Sequence, residues 1–138
     1  MNSAKFSIEK LANAGSHCFI DVEINTIRAR FLIDTGASKT TIDSNLYEAL
    51  GLKDAIIIEG LISTYSGEIE TAVLETTLHI KIGTGVWKDA NVLIVPMHSI
   101  NQQYLHVGVP GINGVLGNDF FINGRAFIDY YFNTIYYS

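Results

Sequence analysis

The apolar run Phe31-Leu32-Ile33 ends in a carboxylate, Asp34, and the four residues behind it, Thr35, Gly36, Ala37 and Ser38, are all small. A charge carried out of a buried strand loses hydration, at a cost on the order of several kcal/mol unless something compensates. Two readings follow. Either a turn satisfies the carboxylate through nearby backbone, or a chemistry needs the acid and needs bulky side chains cleared from around it. Gly36 can take backbone angles closed to other residues and lets a second backbone come close, while Thr35 offers a hydroxyl that can bond across a tight contact. A turn built this way can set two carboxylates side by side.

The rest of the chain reads as short strands rich in Ile, Val, Thr, Phe and Tyr, broken by Gly, Asn or Asp turns, which predicts an all-β barrel or sandwich with one or two short helices. Residues 17–24 and 26–33 form an expected hairpin around Asn25, with Ile20, Val22 and Ile24 alternating against Asp21 and Glu23. Further strands are expected over residues 55–60, 69–82, 90–95, 125–131 and 134–137. One helix is expected after Asp43 or Ser44 as its N-cap, running through Leu46, Tyr47, Ala49 and Leu50 to Gly51. A second runs from Asn118 to Asn123 with Gly124 behind it. Pro96 to Gly114 is the least regular stretch and reads as a long connecting loop. No repeat, charge block or Pro/Ser-rich linker divides the 138 residues, so residues 1–138 are read as a single domain.

Charge narrows the function. Fourteen acids against nine basic residues give a net charge of -5, and no Lys/Arg run follows a phosphate backbone, which points away from nucleic acid. Cys18 is the only cysteine, so no disulfide closes within the chain and a reducing compartment is expected. Charged residues interrupt each apolar stretch near the N-terminus, and nowhere do about 18 apolar residues run together. A cytoplasmic protein, or the soluble domain of a trimmed parent, is the expectation. His17, His79, His98 and His106 lack ligand spacing, and no metal is expected. Trp87, after Gly83-Thr84-Gly85, reads as a residue packed beside a hairpin turn.

With these residues in view, Phe31 to Ser38 resembles the signature of aspartic proteases, in which two apolar residues precede Asp, then Thr or Ser, Gly, and Ala or Ser. Val115, Leu116 and Gly117, leading into a short helix, are similar to that family's second element, although a buried strand ending at a glycine would read the same way. About 80 residues separate the two elements, which suits one lobe of the fold. Because the chain carries one motif, the resemblance is to the retroviral-type, or retropepsin-like, branch, nearest its cellular and bacterial single-domain members. A single-lobe β-barrel is implied, pairing with a second copy of itself.

The resemblance implies an aspartic endopeptidase. Two Asp34 carboxyls, one per chain, would share a proton; one accepts a proton from an attacking water while the other donates to the scissile carbonyl oxygen. Thr35 would brace the pair, Gly36, Ala37 and Ser38 would support it and contact the backbone of a peptide substrate, and no cofactor is needed. A flap is implied near Tyr65, Ser66 and Gly67, where Tyr65 reads equally well as a packing residue. Viral relatives place an acid at Ser38 and an arginine at Asn118, whose ion pair braces the site; both partners are missing here, so the bracing is open. The aromatic end, Tyr130, Tyr131, Phe132, Tyr136 and Tyr137, either covers the core or makes an interface. A haloacid dehalogenase-type phosphotransferase would need a second acid where Gly36 stands. A dimeric peptide-binding module of the same fold without turnover is the remaining alternative.

Overall fold

The structure, a computed structural model, describes residues 1–12, 15–63 and 69–138. Its centre is the hairpin of β3 (Ser16–Ile24) and β4 (Ile27–Ile33), paired in register from Phe19↔Leu32 to Ile24↔Ile27. Asn25 and Thr26 both take positive φ, 49° and 67°, as a two-residue type I′ turn requires. The expected alternation is observed: Ile20, Val22 and Ile24 are buried while Asp21 and Glu23 are exposed. Phe19 and Leu32 are buried as well, on the opposite face, so this part of the sheet is covered on both sides.

The topology then does something that positions a site. β5 (Thr41–Asp43) follows β4 in the chain but does not pair with it; β9 (Gly114–Leu116) inserts between them, parallel to β4 and antiparallel to β5. Residues 34–40 must therefore cross the end of β9 to reach β5. β5 continues into α1 (Ser44–Ala49) and pairs parallel with β8 (Gly85–Val95), which pairs with β7 (Ile69–Ile82), which pairs with β6 (Ile56–Ser63). With β2 (Ser7–Lys10) on β3, these make an eight-stranded sheet among the described residues. A smaller sheet sets β11 (Thr134–Tyr137) between β1 (Asn2–Lys5) and β10 (Phe127–Asp129).

Two apolar clusters form the core among the described residues. The larger gathers Phe31, Ile42, Ile80, Val92, Leu116 and Ile135 with Phe120 of α3 (Asn118–Asn123). Trp87 is half-buried against it, its ring 5.3 Å from that of Phe120. The smaller joins Phe19, Leu32 and Val115 to Met97, Tyr104, Val109 and Ile112. It corrects the expectation of a loop over Pro96–Gly114, because His98–His106 form α2, with Tyr104 buried and Ile100 packed beside it. The chain beyond α2 is fixed by Asn101, whose side chain accepts from Ile112 N at 2.7 Å and donates to Ile112 O at 2.9 Å. The final strand, 134–137, is as expected, whereas β10 is shorter than the expected 125–131 because residues 130–133 are a turn, and β8 is longer, beginning at Gly85 and not at residue 90. The aromatic end divides. Tyr137 is buried, whereas Tyr130, Tyr131 and Phe132 are exposed. Among the described residues no helix is long and apolar enough to cross a membrane.

Candidate active site

Asp34 stands where β4 ends, and the insertion of β9 determines its surroundings. Its backbone N–H donates to Leu116 O at 3.0 Å, which extends the β4–β9 ladder by one residue. The chain then turns: Gly36 N donates to Asp34 Oδ1 at 2.9 Å and Ala37 N to Asp34 O at 3.1 Å. The first of these bonds is an Asx-turn, so the bland reading of the acid is half right. It engages one carboxylate oxygen. The other has no hydrogen bond among the described residues, and Asp34 is only half-buried. Thr35, Gly36 and Ser38 are exposed, and Ala37 is half-buried against the smaller cluster.

Gly36 does not take positive φ, which corrects the expectation that its backbone freedom makes it necessary. Its need is for space: a Cβ there would lie 3.2 Å from Asp34 Oδ1. Gly117 is more tightly constrained, since a Cβ would come within 2.7 Å of the Lys39 carbonyl carbon and 2.9 Å of Ala37 O. Backbone crosses backbone at this point. Asn118 N donates to Ala37 O at 2.7 Å across the same crossing. Val115, Leu116 and Gly117 are thus brought against the Asp34 turn.

The residues that fasten this crossing were not singled out from the sequence. Thr40 is fully buried, and its hydroxyl donates to Asp119 Oδ1 at 2.8 Å while accepting from Gly117 N at 3.0 Å. Thr40 N also donates to the Asp119 carboxylate, at 3.0 and 3.1 Å, and Phe120 N donates to Oδ1 at 3.0 Å. Within the chain this network ties the turn to α3. Two signals existed: an acid in the first turn of a helix whose N-cap, Gly117, has no side chain, and a threonine in a stretch leading straight into a buried strand.

Asp43 is a second correction. It occupies the N-cap of α1 but makes no capping bond; buried beneath the start of α2, its Oδ1 accepts from Met97 N at 3.1 Å instead. Tyr65, Ser66 and Gly67, expected at a flap, lie outside the described residues, and the β6–β7 pairing is described as far as Ser63↔Ile69. His17, read as structural or exposed, is exposed and shares a hydrogen bond of 2.9 Å with Tyr104 across to α2.

Residues 20–120, more than half of the chain, match the aspartyl protease family. Among solved structures, the chain is similar to a retropepsin-like aspartic protease from Rickettsia conorii, with a TM-score of 0.59 and 17% identity, over 95% of this chain and 92% of that one. It is also similar to the retroviral protease-like domain of Ddi1 from Leishmania major, with a TM-score of 0.57 and 11% identity, over 94% and 90% of the two chains. At these identities the structural likeness establishes the retropepsin-like fold. No curated protein sequence matches the chain.

Proposed function

The chain belongs to the aspartyl protease family, and from that premise we propose that residues 1–138 form one endopeptidase domain that works as a homodimer, each copy supplying one Asp34. The observation that carries the reading is the one-sided environment of that carboxylate. Backbone holds it from within the chain through Leu116 and Gly36, while its other oxygen and the Thr35 hydroxyl have no hydrogen-bond partner among the described residues. A second copy related by a twofold axis would supply what is missing. The Thr35 hydroxyl is available to bond across the axis and brace the pair.

Two carboxyls within hydrogen-bond reach do not both ionise cheaply, so the pair retains one proton over a wide pH range and titrates as a unit. A water between them attacks the scissile carbonyl. The ionised carboxyl takes the water's proton and the protonated one donates to the oxygen on which charge develops. Gly36, Ala37 and Ser38 would face the peptide backbone, and residues 65–67, at the connection between β6 and β7, would cover it as a flap.

The test mixes chains. Asp34→Asn keeps the shape of the side chain but cannot share the proton, and its homodimer is expected to be inactive with the fold intact. With subunits exchanging freely at constant total protein, peptide cleavage should follow the square of the wild-type fraction. A linear decline, with a monomer in sedimentation at the assay concentration, would defeat the paired-site reading. Peptide binding by the wild type without any cleavage would favour the silent binding module instead.

A further inference from the structure

A cleft of about 420 Å³ opens between the N-terminal strands β1 and β2 and the β3–β4 hairpin, and Lys5, Arg28 and Arg30 all line it. Three of the chain's nine basic residues thus converge on one cleft in a molecule of net charge -5. They are not equivalent. Arg28 is neutralised by Asp21, with Nη2 donating to Oδ2 at 2.6 Å, and among the described residues Lys5 reaches only Phe132 O, at 3.5 Å.

Arg30 is the unusual member. Its guanidinium carbon lies over the Phe19 ring, 4.0 Å from the centroid, a cation–π contact that restrains the group. Nε and Nη2 are buried and have no hydrogen-bond acceptor among the described residues. Those two atoms make up one side of the guanidinium fork, the side that takes a carboxylate or phosphate with two parallel bonds. Glu9 Oε1 stands 3.9 Å from Nη2, close enough for charge attraction and too far for a hydrogen bond. A charged donor pair held against an aromatic ring, buried and unbonded, is an unfavourable arrangement for a chain to keep without a partner.

We propose that this cleft is an oxyanion-binding site, in which a carboxylate or phosphate group of a small molecule pairs side-on with Nε and Nη2 of Arg30. Glu9 swings off that side of the fork to admit it. It sits on the edge strand β2 with its side chain 41% exposed and forms no direct hydrogen bond to Arg30, so its departure to solvent breaks none between them. Lys5 supplies a second charge, and Asp21 stays engaged with Arg28. Arg30 lies four residues before Asp34, roughly 13 Å along the strand direction, so the site is separate from the proposed proteolytic pair.

The test follows the Arg30 Nε–Hε resonance of the full chain by NMR while inorganic phosphate, acetate or chloride is added at matched ionic strength. A saturable shift with phosphate or acetate, and none with chloride, is expected; tighter binding of one over the other identifies a phosphate-bearing or a carboxylate-bearing ligand. Arg30→Lys keeps the charge and removes the fork, and should weaken the preferred anion about tenfold or more, read from backbone resonances of Phe19 and Ser7. Glu9→Gln removes the competing acid and should tighten binding about threefold. An equal response to chloride, or undiminished affinity in Arg30→Lys, would overturn the proposal.

Discussion

Two threonine–glycine pairs meet in the site and have opposite fates. Thr40 and Gly117 are buried at the crossing of two backbones, and the Thr40 hydroxyl is bonded on both sides. Thr35 and Gly36 are exposed, and the Thr35 hydroxyl has no partner among the described residues. The residue types are the same. What differs is whether the chain itself completes their hydrogen bonding: the inner pair serves the fold, and the outer pair stays open at the surface, where the proposed function would use it. Substitutions at the inner pair should therefore be read in stability, and those at the outer pair in activity.

Gly117→Ala is the harshest test of that division. Its Cβ would lie 2.7 Å from the Lys39 carbonyl carbon, which is backbone and cannot rotate aside. A loss of about 3 kcal/mol or more is expected in urea denaturation, with the β4–β9 crossing pushed apart. A loss below about 1 kcal/mol would mean that the crossing is not the joint described above. Next comes Thr40→Val, which keeps the shape and removes the hydroxyl. Gly117 N then lacks its acceptor and the Asp119 carboxylate loses one of its donors. About 2–3 kcal/mol should be lost, and cleavage measured well below the unfolding transition should change little in comparison.

The same contrast explains what the sequence disclosed. Asp34, its small followers and Val115–Gly117 were legible because each carries a local signature: an acid ending an apolar run, and apolar residues ending at a glycine before a helix. The β3–β4 hairpin was legible through strict alternation about Asn25. Thr40 and Asp119 were not, because their local signals, an acid in a helix's first turn and a threonine before a buried strand, say nothing of the contact across 79 residues that joins them. α2 was missed for a related reason. Within His98–His106 only Tyr104 is buried, and polar residues surround it, so the helix is held by tertiary contacts of Tyr104 and Asn101 more than by an apolar stripe. β1 and β2, four residues each, are too short to show a period and depend on β11 and β3 for their existence.

Gly36→Ala tests the outer pair. Its φ is not positive, so the substitution carries no left-handed strain, and the unfolded chain loses some freedom in compensation. Stability should change by less than about 1 kcal/mol. The added Cβ would instead sit 3.2 Å from Asp34 Oδ1 and press on the carboxylate proposed to do the chemistry. Peptide cleavage should fall at least about tenfold, a misplacement effect on the reacting groups. A variant that unfolds like Gly117→Ala would erase the distinction between the two glycines.

Tyr137 extends the inner side of the comparison to a group that titrates. It is buried in the small sheet, its hydroxyl donating to Ile82 O, and burial raises its pKa above the ordinary 10.0, opposed in part by the hydrogen bond from Gly85. As pH rises, the unfolded chain loses this phenol proton before the native state does. Over that interval the native state binds more protons than the unfolded one, so stability falls with pH; below about pH 10 the contribution is whole, and it is gone above the folded value. Tyr130, exposed but in contact with Cys18, is raised by partial desolvation and then by that contact, and adds a smaller slope of the same sign. Tyr137→Phe should therefore flatten the alkaline decline in urea midpoints without abolishing it, on top of a pH-independent loss of about 1 kcal/mol for the missing hydrogen bond. This is the smallest effect of the set. An alkaline slope identical to that of the wild type would show that the Tyr137 hydroxyl is not sequestered as the inner residues are.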